Sequence, residues 1–507
     1  MQDSTITEIN NKNRPFLLYG CLLFLAVFSF LFRYFASDTV ETGGDAIYKW
    51  SLIKQFILFG DIPLGLNHHT CRWAINIPLS LVAKCCGTEP TGYYIWPFIA
   101  STLSAIFSFL LVERLRTWRV GLATGILVIL SGPMLRQGTQ LLPMGTALLF
   151  LLGALYFLVR WRDNRHGLNL LASALFLFLA YGAKITIVYY LPSFLVLIYM
   201  FSKDKQSRLV NILFFLGIFL ACFAMETMLF NALAGSSFGR LELVQLSHHP
   251  IRAAQIAPRS WQSQSNTLLQ YLANFFVYFK YSSNCSAALY YTAFSVAVLA
   301  LVRKWRSVYI TAIPFLFGFI GHAYAITSVF PFHRPEQILP RYLSAIFELA
   351  LITIILFLSA PRFRQLTATL KLPFSLDDRK IRMLLFLLLA IPIVAYAGKH
   401  LHMDSGYAKT ARAMKEVREA RQNGVPVLIL LPRDSDKRAY RRNKLIVKFR
   451  AFYTDARHFG NTHWPTDPNI DLDDFPMVAR KGKTFLLVER NGFKGDLADK
   501  GLYLVDY

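Results

Sequence analysis

Long apolar runs recur from one end of this chain to the other, and each is long enough to cross a hydrocarbon core of about 30 Å. The first covers Pro15 to Ala36, after Lys12 and Arg14. A run that crosses lipid must satisfy every backbone N–H and C=O within itself, which selects helix. A membrane β-barrel would alternate apolar and polar residues with period two, and these runs do not. The candidate spans are 15–36, 93–112, 120–135, 143–160, 168–183, 186–201, 209–233, 285–302, 307–329, 343–360 and 383–398. They predict an all-α polytopic membrane protein of about eleven transmembrane helices. The segment 75–86 is apolar but short, as expected of a re-entrant or interfacial piece. The first run is too long for a signal-peptide core and lacks a small-x-small cleavage site, so it reads as an uncleaved span.

Composition agrees: 54% of 507 residues are hydrophobic and 17% charged, with mean hydropathy +0.39. The net charge is +24. In a soluble protein that would suggest nucleic acid, but here the basic residues cluster in short loops. Arg114, Arg116 and Arg119 form one group, Arg160, Arg162 and Arg165 a second, and Lys203, Lys205 and Arg208 a third. Arg303, Lys304 and Arg306 form a fourth, and Arg362, Arg364, Lys371, Arg379, Lys380 and Arg382 a fifth. If eleven spans alternate, all five groups share a side with Lys12 and Arg14. The positive-inside rule then sets the N-terminus in the cytoplasm and the C-terminus outside. The six cysteines, two of them inside spans and Cys85-Cys86 adjacent, argue against a disulfide framework.

The outer side then receives loops 37–92, 234–284 and 330–342 and a tail, 399–507, and loops of such length are usually functional. Residues 1–398 read as the membrane domain. In the tail, Ser405 to Gln422 has helical periodicity through Ala408, Ala411, Met414, Val417 and Ala420. Val425 to Leu431, Thr484 to Glu489 and Leu502 to Val505 are strand-like, which predicts a small extracytoplasmic α/β domain of the three-layer kind. It has no Gly-rich phosphate loop.

The first outer loop holds the densest chemistry. Asp45, in Gly43-Gly44-Asp45, opens a stretch in which Trp50, Ile53 and Ile57 recur at helical spacing, as in an amphipathic helix lying on the membrane surface. A carboxylate at the start of a helix is favoured by the dipole, and the residue reads either as a catalytic group or as an N-cap. Next come Gly60-Asp61-Ile62-Pro63 and Asn67-His68-His69-Thr70-Cys71-Arg72-Trp73. Adjacent histidines diverge on a helix or strand, which argues against a His-His metal pair. Arg72 suits an anion, phosphate or lipid head group. Lys84, in the segment 75–86, is a further candidate for a phosphate contact. The third loop packs His333, Arg334, Glu336, Arg341 and Tyr342 at the edge of a span, a set able to bind a phosphate or diphosphate. Snorkelling and an aromatic belt account for Arg341 or Tyr342 singly, less easily for the group. Inside the spans, Lys184 and Glu226 are costly charges and functional by default, with Glu226 lacking an evident partner.

These residues resemble the GT-C class of membrane glycosyltransferases, closest to the aminoarabinose-transferase and protein-mannosyltransferase superfamily. The order Asp45, Tyr48, Gly60-Asp61-Ile62-Pro63, His68 to Trp73 follows that class, as does Arg341-Tyr342 before a span. The resemblance implies transfer of a sugar from a polyprenyl-phosphate donor to a lipid, glycan or protein acceptor on the outer face of a bacterial inner membrane. It implies Asp45 as base, and Arg72, Lys84, Arg341 and Arg334 against the carrier phosphate. Tyr48, Asp61, His68, His69, His333 and Tyr342 would be further substrate contacts. The chain departs from the class in two places: Ala46 follows Asp45 where an acidic residue is favoured, and Leu135 to Leu142 carries no second carboxylate. That leaves one acid, or Asp61 as the second, and gives no support to a divalent metal or other cofactor. Two rivals stand. An O-antigen ligase or polymerase would use Arg240, His248, His249 and Arg252 in loop 234–284. A flippase or transporter would show paired repeats, and none is present.

Overall fold

The computed structural model describes residues 14–37, 44–60, 68–244, 286–324, 343–363, 378–401, 405–422, 428–432, 477–481, 484–488 and 502–505. Helices α1 (Arg14–Ala36), α2 (Gly44–Phe59), α3 (Trp73–Cys86), α4 (Pro90–Leu115) and α5 (Trp118–Leu130) come first. Helices α6 (Gly132–Thr139), α7 (Pro143–Asn164), α8 (Gly167–Ala183), α9 (Leu191–Phe201) and α10 (Lys205–Ala234) follow. Beyond them lie helices Ser286–Val302, Arg306–Tyr324, Ser344–Leu358, Asp378–Gly398 and Gly406–Gln422. Six helices are long and apolar enough to cross a membrane, and the bent pair α5–α6 makes a seventh if counted as one span. The apolar helices Trp73–Cys86, Gly167–Ala183, Ile185–Phe201, Ala288–Val302 and Ser344–Leu358 are shorter. The chain is a multi-pass membrane protein.

Lipid accounts for what the surface shows. On α10, Leu209, Val210, Leu213, Leu220, Met225, Leu229 and Leu233 are exposed, a belt that water would not tolerate. The 15-residue helix Ser344–Leu358 is the opposite case, since every residue in it is buried. Its polar side chains must therefore find partners among its neighbours. Ser344 Oγ accepts from Gln137 Nε2 at 3.0 Å, Glu348 accepts from Ser131, and Thr353 Oγ1 donates to Leu349 O and meets Thr311 Oγ1 at 2.9 Å.

Hydrogen bonds sort the helix ends into two sets. At one, Arg114 pairs with Asp163 at 2.6 Å and Arg162 with the same carboxylate at 2.7 Å. Arg116 donates to Leu356 O and Ser359 Oγ, Arg165 to Phe201 O, and Arg362 to Lys304 O. Several of these arginines cover the orphan carbonyls at helix C-termini, where a cation also suits the dipole. At the other end, Trp96 Nε1 donates to Thr146 Oγ1, and Thr91 Oγ1 meets the Tyr407 hydroxyl at 3.2 Å. Gly406 N–H donates to Ser37 O at 2.6 Å, so the tail begins at this second, arginine-poor end.

The structure departs from three expectations. The apolar stretch 120–135 is one run in sequence but breaks at Ser131 by 63°. Ser131 takes an extended conformation and its Oγ accepts the Met134 N–H, starting a new helix. The segment Leu135 to Leu142, read as a loop, thus begins as α6. Helix α2 does not lie amphipathically on a surface: nearly every described side chain from Ala46 to Gln55 is buried, Lys49 and Lys54 included. Trp50 is the reason, since its ring enters the notch left by Gly92, where a Cβ would come within 2.8 Å of it, and packs edge-on to Tyr93 at 6.0 Å. In the tail, helix Gly406–Gln422 is joined by strands β1 (Leu428–Pro432), β2 (Met477–Lys481), β3 (Thr484–Val488) and β4 (Leu502–Val505). Their order is β3-β2-β1-β4, with only the β1–β2 pair parallel.

Candidate functional site

Of the sequence motifs, the described stretch His68 to Trp73 stands at the arginine-poor end. α3 starts at Trp73, against α8 and α10, and ends just before α4 begins at the same end. It therefore lies along the bundle end and does not cross. Its 14 residues span roughly 21 Å at 1.5 Å per residue, short of the hydrocarbon thickness. Ala74, Ile75, Leu79 and Ala83 face the protein, while Ile77, Leu81 and Lys84 are exposed.

The turn before α3 is pinned from below. Asn76 Nδ2 donates to His69 O at 3.0 Å and to Thr70 O at 2.8 Å, tying the turn to the first turn of α3. Arg72 is the N-cap residue of α3, so His68, His69 and Arg72 sit on a turn and not on one helical face. That turn also corrects the divergence expected of the histidines: their rings lie 3.9 Å apart. Arg72 and Lys84 stand at opposite ends of α3, roughly 18 Å apart along the axis, so one phosphate group takes one of them and not both.

Trp73 fixes this turn to the bundle. Its indole N–H donates to Glu226, and Glu226 also pairs with Arg240 at 3.0 Å. Arg240 gives its two other nitrogens to Gly182 O and Tyr181 O, both at 2.9 Å, and its guanidinium covers the Tyr181 ring at 4.3 Å. The chain achieves this by folding back after α10. Gly235 and Gly239 both take left-handed φ (64° and 60°), and a Cβ on Gly239 would stand 2.8 Å from Thr227 Cα. Glu226, which the sequence left without a partner, thus has two.

Trp73 also leaves no room above α8. A Cβ on Gly182 would lie 2.6 Å from the indole. Gly182→Ala is expected to cost about 1–3 kcal/mol by overpacking; thermal denaturation of the purified protein in detergent checks it, and an unchanged midpoint would contradict this packing.

Cys71, next to Arg72, is completely buried, and burial pushes its thiol up to about 11. The thiolate is the reactive form, and its fraction rises only as pH approaches that value. At pH 8, N-ethylmaleimide should therefore modify exposed Cys85 and Cys86 and spare Cys71 until the protein is denatured. Peptide mass spectrometry reads this directly, and rapid labelling of Cys71 in the folded protein would refute it.

Asp45 is the second residue of α2. The side chains of Asp45 and Tyr48 lie outside the described residues, as do Asp61, His333, Arg334, Arg341 and Tyr342. The end α2 docks against is continuous with the bundle interior, for Tyr93 accepts the Leu141 N–H at 3.4 Å just beyond α6. Lys184 immediately precedes the short 3-10 helix Ile185–Tyr190, at the junction with α8. Among the described residues no group of three or more His, Cys, Asp or Glu could hold a metal ion. Two buried charges within the apolar spans escaped the sequence reading: Arg33 in α1 and Glu348 in the Ser344–Leu358 helix. The signal was present in each case, a lone charge within an apolar run.

Residues 72–230 match the family described as dolichyl-phosphate-mannose-protein mannosyltransferase. The match begins at Arg72 and includes α3 to most of α10, but not Asp45. Among solved structures, the oligosaccharyltransferase of Archaeoglobus fulgidus, in complex with Zn and sulfate, superposes over 88% of this chain with TM-score 0.50 at 12% identity. The chain shares the fold of this oligosaccharyltransferase. The chain spans only 59% of the archaeal protein's length. ArnT from Cupriavidus metallidurans, bound to undecaprenyl phosphate, aligns with 91% of this chain and 86% of its own at 12% identity and TM-score 0.46. No curated protein matches the chain in sequence.

Proposed function

We propose that the chain transfers a sugar from a polyprenyl-phosphate donor to an acceptor of the cell envelope, on the outer face of a bacterial inner membrane. The acceptor class is lipopolysaccharide, another glycolipid, a polysaccharide or a protein. The observation that carries the reading is the match of residues 72–230 to a family that draws mannose from dolichyl phosphate, within a GT-C fold. The segregation of charge supports the orientation: arginines that cap helix ends gather at one end, and the positive-inside rule assigns that end to the cytoplasm. All eleven apolar runs then cross, and the tail emerges outside.

In this reading Asp45 is the base that takes the acceptor proton, and direct displacement inverts the sugar carbon. The C–O bond between sugar and phosphate breaks, and the acceptor oxygen bonds to the same carbon. The carrier leaves as a phosphate of growing charge, which Arg72, Arg341 and Arg334 neutralise. Lys84, at the far end of α3, meets lipid head groups or the distal part of the ligand. Tyr48, Asp61, His68, His69, His333 and Tyr342 contact the substrates. Arg240, which an O-antigen ligase reading would place against a diphosphate, is occupied by Glu226 and two carbonyls, and this weakens that rival.

The test is an assay in membranes with undecaprenyl-phosphate sugars as donors and envelope extract as acceptor. Asp45-dependent appearance of sugar in the acceptor supports the reading. Movement of the intact lipid between leaflets, with its glycosidic bond unbroken, sinks it.

A further inference from the structure

Within the helices, away from the Arg72 turn, a second polar cluster has no role in the reading above. Arg33 near the end of α1 and Glu348 are both completely buried. Arg33 Nε donates to Ser101 Oγ at 3.4 Å, and a Cβ on Gly138 would stand 2.5 Å from that nitrogen. Glu348 Oε1 accepts from Ser131 at the α5–α6 break. Gln137, also on α6, donates to Ser344 Oγ one turn before Glu348 and accepts the Gly145 N–H at 2.8 Å.

What these bonds leave over has a definite chemistry. Both terminal nitrogens of Arg33 and the second oxygen of Glu348 are buried with no hydrogen-bond partner. The two charges interact electrostatically but do not close into an ion pair. Charges kept at this depth mark functional sites by default. A phosphate offers only acceptors and is repelled by the carboxylate; an ammonium offers only donors and is repelled by the guanidinium. A hydroxyl accepts from one and donates to the other, and neighbouring hydroxyls serve both guanidinium nitrogens. The geometry points to Arg33 and Glu348 as a recognition subsite for the hydroxyl groups of a neutral sugar borne by the lipid donor. The inference rests on the sugar-transfer reading. The pair sets which sugar is accepted, and the phosphate is held elsewhere.

The test uses full-length protein in detergent. Undecaprenyl phosphate and undecaprenyl-phosphate mannose, galactose and glucose are titrated against wild type, Arg33→Gln, Glu348→Gln and the double variant. The wild type should bind at least one sugar-bearing lipid more tightly than the bare carrier phosphate. Each single substitution should cut that gain about tenfold or more, leaving bare-lipid affinity unchanged. The double variant should lose no more than the worse single, because one bridging group is shared. It also leaves no lone buried charge, so it decides the matter if a single variant misfolds. Variants that keep the full wild-type preference overturn the subsite alone and make the cluster structural. Equal loss for bare and sugared lipid also overturns it. A wild type that neither prefers nor transfers any of these sugars removes the transfer reading and the subsite together.

Discussion

Asp45→Asn should lower sugar transfer by about 10²–10⁴-fold, the range that general-base catalysis contributes, while donor affinity stays near wild type. Asparagine separates the two jobs the sequence allows Asp45. It caps a helix as well as aspartate does, so a pure capping role predicts no loss of stability or activity. It cannot take a proton, so a base role predicts a fall in kcat at unchanged fold. Asp45 is the second residue of α2, inside the first turn, where the positive end of the helix dipole favours the ionised carboxylate. Asp45→Ala should lose at least as much activity and, if the residue also caps, about 1 kcal/mol of stability. The readings are kcat with an undecaprenyl-phosphate sugar and the denaturation midpoint. Full activity in a folded Asp45→Ala protein would end the base assignment.

The largest effect on stability is expected at Glu226. Glu226→Ala leaves the Arg240 guanidinium buried without its counter-charge and the Trp73 N–H without its acceptor. Breaking a buried pair by removing one partner costs about 3–5 kcal/mol. Because Trp73 follows Arg72 directly, the damage should also reach donor binding. Replacing both partners, Glu226→Leu with Arg240→Leu, removes the charge penalty but also strips the caps from the Tyr181 and Gly182 carbonyls at the end of α8. Only part of the stability should return. Thermal denaturation of the single and double variants gives the comparison, and a Glu226→Ala protein that melts like wild type would show the pair to be idle.

The helices were legible in the sequence because lipid imposes one solution on a long apolar run. The break at Ser131 was not, since hydropathy continues through it and the cause is a hydroxyl bonded to Glu348, 217 positions away. Helix α2 misled for a related reason. Trp50, Ile53 and Ile57 at helical spacing read as one apolar face on a membrane surface, whereas Trp50 carries the helix into a notch made by Gly92 on another element. Glu226 could be flagged as costly, but its partner 14 residues on depends on a turn built from two left-handed glycines. Arg33 and Glu348 carried the same signal as Glu226, and only their convergence on α5–α6 shows them to be one cluster. In the tail, β2 went unseen because Met477–Lys481 is short and ends in Arg480 and Lys481, without the apolar run of β1 or β3.

The most direct measurement follows both halves of a doubly labelled donor, sugar carbon and carrier phosphate, through one reaction in sealed vesicles. If the chain is a transferase, the two labels part: sugar counts pass into the acceptor and phosphate counts stay with the lipid, only at the face away from the arginine-rich rim. If the labels travel together, or part equally well with Asp45→Ala, the account is wrong.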